Sequence, residues 1–481
     1  VNPPTAIADI TMIDNVMRLR TGVEIEHDAD LLTLTGAHGS FTLRNMSDGL
    51  VSAMRRLHRA VPLSELNSSL TDHERHQLQR ILARLNKLLA RCVVIDDTEL
   101  MSLEPTAPDA TYHPSPPRPG ARLRLSKFSF ARSRDDLLVL ESPLAHHRAL
   151  LPHPAAGAVV AALGTTSGAI ELADAAGLPL PVVHNLLAHL IGANLVEVDD
   201  PESGRFASET DNALRQWDFH DLLFHSRSRS GRTDDPHGGV FSYLGDIPPH
   251  PAIKPPPNGP AVQLPRPSWR DIADRDPQLS TVMEQRVSIR EHATLPIDLD
   301  QLGEFLYRVA RVRTRSWPDG AHYETTTRPY PGGGAAYELE FYLAVHRCDG
   351  LRQGIYYYDP LEHRLILIND NESDCRTILD DASAATAFQG NPDIAITITS
   401  RFGRLSWKYR GIAYALTLRH VGVLYQSMYL VATAMGLAPC AIGSGNSDAA
   451  GRILRLNYTE ESPVGEFVLG SRPHPHAPDT D

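Results

Sequence analysis

The chain has 481 residues, enough for two to four domains, and its 42% hydrophobic and 22% charged residues suit an ordinary globular protein. A formal net charge of −12 argues against a nucleic-acid partner, which would need basic surface to displace counterions. Cys92, Cys348, Cys375 and Cys440 form no CxxC pair, so reduced, buried thiols in a cytoplasmic protein are expected rather than a metal site or disulfide framework.

Val1-Asn-Pro-Pro-Thr5 lacks a basic stretch followed by an apolar run, so no signal peptide is expected. Two similar segments follow. Arg18-Leu-Arg20 matches Arg122-Leu-Arg124, Asp30-Leu-Leu-Thr-Leu34 matches Asp136-Leu-Leu-Val-Leu140, and Val94-Ile-Asp-Asp97 matches Glu197-Val-Asp-Asp200. An offset of roughly 105 residues throughout reads as a tandem duplication. In copy one, Ser47 caps a helix carrying Leu50, Met54 and Leu57. Thr71-Asp-His-Glu74 is a capping box before a helix with Leu78, Ile81, Leu82, Leu85, Leu88 and Leu89 on one face, and Val93–Ile95 is a strand. Copy two gives helices at 155–163, 170–176 and 182–191, then a strand at 195–198. Three helices and a strand suggest a winged helix-turn-helix. Its third helix in copy two carries no Arg or Lys, which favours peptide capture at an exposed wing edge over DNA reading.

Proline-rich stretches at Pro105–Gly120 and Ile247–Pro267 read as extended connectors. Between them, Trp217, Leu222 and Phe224 lie on a helix that precedes the basic run Arg227–Arg232. The expected domains are therefore 1–104, a linker at 105–120, 121–205, a connector at 206–267, and a final domain at 268–481. That last part reads as α+β, with strands at 339–345, 354–360, 365–368, 394–400 and 467–470. One or two helices fill 410–435. The apolar run 421–437 carries Gln426 and is short for a membrane span, so a core or dimer helix is expected.

Four patterns in this part carry chemistry. Arg286-Val-Ser288-Ile-Arg290 at a helix start would gather two guanidinium groups and a hydroxyl on a phosphate. Pro331-Gly332-Gly333-Gly334 lets backbone approach a planar ring or phosphate. Gly443-Ser444-Gly445 is a second anion-friendly helix entry. Lys408-Tyr409, within Arg401-Phe-Gly-Arg-Leu-Ser-Trp-Lys-Tyr-Arg410, sets an amine beside a phenol. Neither a GxGxxG fingerprint nor a Walker motif is present.

In this order the patterns resemble the FMN-dependent nitroreductase superfamily. They are more narrowly similar to the SagB-type, azoline-oxidising dehydrogenases of ribosomal peptide biosynthesis. The residues carrying the likeness are 286–290, Arg328-Pro-Tyr-Pro-Gly-Gly-Gly-Ala-Ala-Tyr-Glu-Leu-Glu340, Gly354-Ile-Tyr-Tyr-Tyr-Asp-Pro360, Trp407–Arg410 and Ala441-Ile-Gly-Ser-Gly445. Gly332 stands where the family usually has serine. The resemblance implies a nitroreductase-like FMN domain preceded by two tandem winged helix-turn-helix-like domains that bind the leader of a precursor peptide. It implies a homodimer with FMN at the interface, Arg472 reaching toward the phosphate, a cyclodehydratase partner, and no metal, membrane or nucleic acid. The implied reaction turns thiazolines or oxazolines into azoles, with Lys408 or Tyr409 as base once burial lowers the lysine's pKa. Trp407 and Tyr337 would stack on the ring or pack in the core. A nicotinamide-dependent nitro- or quinone reductase, an inactive peptide-binding scaffold and a transcription regulator are the competing readings.

Overall fold

The computed structural model describes residues 15–28, 31–36, 39–107, 110–386 and 391–473. Val1–Thr5, Asp30 and residues 108–109 of the first proline-rich stretch lie outside them. The chain divides into two compact units at Asp235/Pro236.

The first unit opens with β1 (Val16–Leu19) and a three-stranded antiparallel sheet of β2 (Glu24–Asp28), β3 (Leu31–Gly36) and β4 (Gly39–Arg44). Three helices follow: α1 (Asp48–Arg56), α2 (Leu63–Asn67) after the short β5 (Val61–Pro62), and α3 (Asp72–Arg84). The Ser47 hydroxyl accepts from Leu50 N–H, and Thr71 and Glu74 form the reciprocal capping box. Leu78, Ile81 and Leu82 face the core, but the helix stops at Arg84. Leu89 already belongs to β6 (Leu89–Ile95), where it pairs with Leu19 of β1. Asp96 and Asp97, both with positive φ, turn β6 into β7 (Thr98–Pro105).

The same order recurs as β8 (Leu123–Leu125), β9 (Phe130–Arg134), β10 (Leu137–Glu141), β11 (His147–Leu151), α4 (Pro154–Ala162), α5 (Ala169–Ala176), α6 (Leu180–Gly192) and β12 (Val196–Val198). The two sets of elements share one sheet, ordered β5-β1-β6-β7-β11-β10-β9. In copy two the wing strand β11 is covered by β7, whereas β4 of copy one pairs with β3 alone among the described residues. β7 bonds β6 over 98–103 and β11 over 102–105. Arg20, Arg148, Glu104 and Asp234 form a buried ion cluster around this joint, with Arg20–Asp234 at 2.6 Å and Arg148–Asp234 at 3.0 Å.

The second unit is built on a seven-stranded antiparallel sheet. Its elements are β14 (Ala261–Gln263), β17 (Leu339–Val345), β18 (Gly354–Asp359), β19 (Arg364–Asn369), β20 (Ile394–Arg401), β22 (Leu437–Ile442) and β23 (Glu461–Ser471), ordered β14-β19-β18-β17-β20-β23-β22. Alternate side chains serve opposite faces. Leu339, Phe341, Leu343 and Val345 of β17 join Ile394, Ile396 and Ile398 of β20 against the helices Leu299–Ala310 and Ala413–Ala434. Tyr342, Ala344 and Ala395 face the helix Glu372–Ala385. Both faces are covered, so side chains of both parities are buried, Glu340, Thr397 and Thr399 among them. Residues 410–435 hold one long helix, Ala413–Ala434. Among the described residues no single helix is long and apolar enough to cross a membrane.

The expected connector at 206–267 is not uniform. From Pro236 onward it belongs to the second unit and is strapped to it. The short strands β13 (Gly238–Gly239) and β21 (Tyr409–Arg410) pair, and β14 pairs β19. The carbonyls of His250, Pro251 and Ala252 accept from Arg404 and Arg401, and Lys254 meets Glu461 at 2.5 Å and Tyr342 at 2.6 Å.

Candidate active site

The strap and the end of β20 bring Lys408 and Tyr409 to the glycine loop. Val240 and Phe241 donate backbone N–H to the Lys408 carbonyl at 3.0 Å, fixing the lysine's backbone. The Phe241 ring lies 5.5 Å from its ammonium. Lys408 Nζ donates to the Tyr323 hydroxyl at 2.8 Å, and that hydroxyl donates to the Gly334 carbonyl at 2.5 Å. A Cβ on Gly334 would stand 2.6 Å from both Lys408 Nζ and the Tyr409 hydroxyl. Only glycine leaves room for the two groups to converge there, and its φ of +62° is one that glycine adopts without strain. Ala335 and Tyr337 also have positive φ. Such strain persists only where surroundings enforce it.

The loop is held from behind. Gly333 N–H donates to His420 Nε2 at 2.8 Å, and His420 Nδ1 faces Glu338 Oε1 at 2.8 Å. Arg328 lies deeper, 3% exposed. Its three guanidinium nitrogens have no hydrogen-bond partner among the described residues, and Tyr337 stacks near it at 5.8 Å.

Lys408 is half-buried. Burial pulls its pKa down, but the hydrogen bond to Tyr323 and the nearby Tyr323 and Tyr409 phenols outweigh it, leaving the amine above its ordinary value. The expected lowering toward neutrality is therefore corrected: the group is an ammonium. Trp407 is 5% exposed and donates to the Ile247 carbonyl at 2.6 Å. Arg401 and Arg404 are buried too, and burial with the neighbouring Arg401 brings Arg404 down to about 10. These three residues anchor the strap. Tyr337 is likewise packed, edge-on to Tyr330.

The phosphate-directed residues lie elsewhere. Arg286 is the C-cap of the helix Leu279–Gln285, so 286–290 follows a helix end; the expected helix start is corrected. The segment still gathers its groups. Ser288 and Tyr429 share a hydrogen bond at 2.7 Å, Arg286 lies over the Tyr429 ring at 5.2 Å, and the Tyr429 hydroxyl accepts from Ala441 N–H at 2.8 Å. Ile289 N–H bonds the Pro439 carbonyl and Ala293 N–H the Ser471 carbonyl. Arg290 thus runs beside the strand end that carries exposed Arg472. Gly443, Ser444 and Gly445 leave β22, but a Cβ on Gly445 would meet the Glu466 carboxylate at 2.3 Å. Burial, with Asp381 nearby, pushes Glu466 up to about 7. That turn faces an acid, and the helix after it has seven residues, so the expected anion-friendly entry is corrected.

Sequence reasoning missed Tyr323, Phe241, His420 and Glu338. The turn Pro318-Asp-Gly320 between threonine-bearing runs is the signal that could have marked the hairpin of β15 (Thr314–Ser316) and β16 (Thr325–Thr327). Nothing local in the sequence linked its tip to Lys408.

Known proteins resemble both units. Residues 283–471 match the nitroreductase family, and residues 123–234 match the cyanobactin oxidase ThcOx. The second unit therefore carries a nitroreductase-family oxidoreductase domain. The chain is 27% identical over 179 residues to the nitroreductase-like protein MJ1384 of Methanocaldococcus jannaschii, covering 37% of this chain and 85% of that one. It is 26% identical over 190 residues to the trifolitoxin-processing protein TfxB of Rhizobium leguminosarum bv. trifolii (39% and 51%). It is 31% identical over 116 residues to the microcin B17-processing protein McbC of Escherichia coli (23% and 42%). The chain thus spans about half or less of the two peptide-processing relatives.

Proposed function

We propose that this chain is an FMN-dependent oxidase that converts azolines to azoles during maturation of a ribosomally made peptide. The convergence of Lys408, Tyr323 and Tyr409 on Gly334 carries this reading. The donor set fits FMN. Arg286, Ser288, Arg290 and Arg472 suit a phosphate dianion, and the glycine backbone of 332–334 suits close approach to a planar ring. When bound, FMN supplies the hydride acceptor. This chain's part is the proton. Tyr409 enters the step as the phenolate, accepts the proton leaving the heterocycle and becomes the neutral phenol, and the Lys408 ammonium stabilises the phenolate before that transfer. Tyr323 holds that ammonium on the glycine-loop carbonyl. The aromatic wall of Phe241 excludes water.

The site is completed by a second copy. Lys408 and Tyr409 precede the helix Ala413–Ala434, whereas Ser288 and Arg286 meet Tyr429 near its other end. Sixteen residues of helix put these sets roughly 24 Å apart. An isologous dimer that pairs this helix with its copy brings one chain's base toward the other chain's phosphate groups. The faces available for that are apolar: Leu279 is 68%, Met283 51% and Val423 38% exposed.

The relatives that process trifolitoxin and microcin B17 support a peptide substrate, and the ThcOx match supports oxidation. The first unit is the leader-binding part, built as two winged-helix-like domains, and a cyclodehydratase supplies the azoline. The test is aerobic incubation of the purified chain with an azoline peptide. The expected result is a yellow protein and a loss of about 2 Da per ring, the two hydrogens of aromatisation. A colourless protein that FMN cannot reconstitute sinks the proposal. Turnover only with reduced nicotinamide and a nitro compound points to a reductase instead.

A further inference from the structure

We infer that Arg404 is a positioning residue of the candidate active site: its buried guanidinium ties strap, hairpin and glycine loop together so that Lys408 and Tyr323 meet, and its charge supports the phenolate beside them. This rests on the oxidase reading above and adds to it a residue that acts only through others.

Arg404 lies on the short helix Phe402–Ser406, four residues before Lys408, and is 4% exposed. Its N–H groups go to three separate segments. Nη1 donates to the His250 carbonyl of the strap at 2.7 Å. Nη2 donates at 3.0 Å to the carbonyl of Glu324, the hairpin residue after Tyr323. Nε and Nη2 both donate to the Ala336 carbonyl, at 2.9 and 2.8 Å, just beyond the glycine loop. Other residues of the same segments build the site. Val240 and Phe241 of the strap hold the Lys408 backbone, Tyr323 of the hairpin takes the ammonium, and Gly334 accepts from Tyr323. A planar guanidinium fork can hold several acceptors in fixed directions, and the point charge of an ammonium cannot. Gly403 lets the strap sit close: a Cβ there would stand 2.6 Å from the His250 ring.

Every partner of Arg404 is a carbonyl. Among the described residues no carboxylate pairs with it, nor with the buried Arg328 nearby. The neighbouring acids are already engaged. Glu340 takes Arg401 at 2.8 Å and the Tyr357 hydroxyl at 2.9 Å. Glu324 faces Arg315 and the Ala252 N–H, and Glu338 faces His420. Burial, with Arg401 and Arg404 beside it, holds His250 below its ordinary value, so that ring adds no charge at neutral pH. Arg328, Arg404 and Lys408 are thus surplus positive charge around the phenols. The Arg404 guanidinium stands 5.5 Å from the centre of the Tyr323 ring. The Tyr323 and Tyr409 hydroxyls both come within 3.0 Å of the place a Cβ on Gly334 would take. A buried cation without a counter-ion is costly, and negative charge on a phenol beside it offsets that cost.

Two substitutions separate the roles: Arg404→Lys keeps the charge without the fork, and Arg404→Gln keeps neither. Amide exchange, which needs no turnover, is expected to quicken about tenfold in both variants at 247–252, 322–327 and 333–337 together, the loss of buried hydrogen bonds. The strands β22 and β23 should exchange as in the parent. With an azoline peptide, both variants should lose about 10²-fold in kcat through misplacement, with KM little changed. The rising limb of kcat against pH should move up by about one unit in Arg404→Gln and stay in place in Arg404→Lys. Parent-like exchange at any of the three segments in Arg404→Lys overturns the positioning role, as does quickening across the whole second unit. A limb that moves equally in both variants, or in neither, overturns the charge role. Flavin content and turnover of the parent report separately on the oxidase reading, because the exchange experiment judges Arg404 whatever the substrate is.

Discussion

Gly333 gives its amide hydrogen to His420 Nε2 at 2.8 Å, which ties the glycine loop to the long helix Ala413–Ala434. With Nε2 accepting, the ring proton sits on Nδ1, facing Glu338. His420→Ala removes the acceptor and leaves the loop without its anchor. FMN retention after gel filtration should fall by about tenfold, the loss of one buried hydrogen bond, with far-UV circular dichroism unchanged. Retention equal to the parent would show that the loop is self-supporting.

Lys408→Ala, Tyr409→Phe and Tyr323→Phe should each keep flavin and lower turnover of an azoline peptide, by about 10²–10⁴-fold for Tyr409. The Tyr323 variant separates the present geometry from a two-residue site, because its hydroxyl links Lys408 to the Gly334 carbonyl. Full turnover in Tyr323→Phe would remove the relay.

Because Lys408 is held above its ordinary pKa, its charge is constant across neutral pH. The rate of Lys408→Met relative to the parent should therefore be flat between about pH 6 and 8. A ratio that changes tenfold across that window would mean the amine titrates there and serves as the base itself.

Glu466 is pushed from 4.5 to about 7 by burial and Asp381. Its folded pKa is raised, so the contribution to stability is complete below pH 4.5 and is lost as pH rises through about 7. Glu466→Gln should flatten that slope and raise stability at pH 8 on the order of 2 kcal/mol. Urea midpoints at pH 5 and 8 measure it; identical slopes in both proteins would contradict the assignment.

Arg401 joins Glu340 at 2.8 Å and donates to the strap carbonyls of Pro251 and Ala252. Arg401→Met leaves Glu340 buried without its cation and should cost about 3–5 kcal/mol. Limited proteolysis should then cut first within 236–267. Cleavage sites unchanged from the parent would show that the strap is held by other contacts.

Val423→Glu places a charge on the exposed apolar stripe of the long helix. On the proposed shared site, sedimentation should show loss of the dimer and flavin should be lost in parallel. A flavin-replete monomer would refute the shared site.

Much of this was legible locally. Caps at Ser47 and Thr71, the leucine stripe of α3 and the mainly apolar strands β17 and β20 follow from spacing alone, because period and capping chemistry act within a few residues. The match between 30–34 and 136–140 likewise survives in the side chains. Lys408 and Tyr409 stood out because they are adjacent in the chain. Tyr323, His420 and Phe241 did not. Each reaches Gly333, Gly334 or Lys408 only after a hairpin, a long helix and a strap have folded across one sheet, and no sequence period records such distances. The ammonium state of Lys408 was decided the same way. Burial alone would have lowered it, and a phenol eighty-five residues away in the chain reversed the sign. Repetition in the sequence also hid an asymmetry: only the sheet register shows that β7 pairs with β11 while β4 pairs with β3 alone among the described residues.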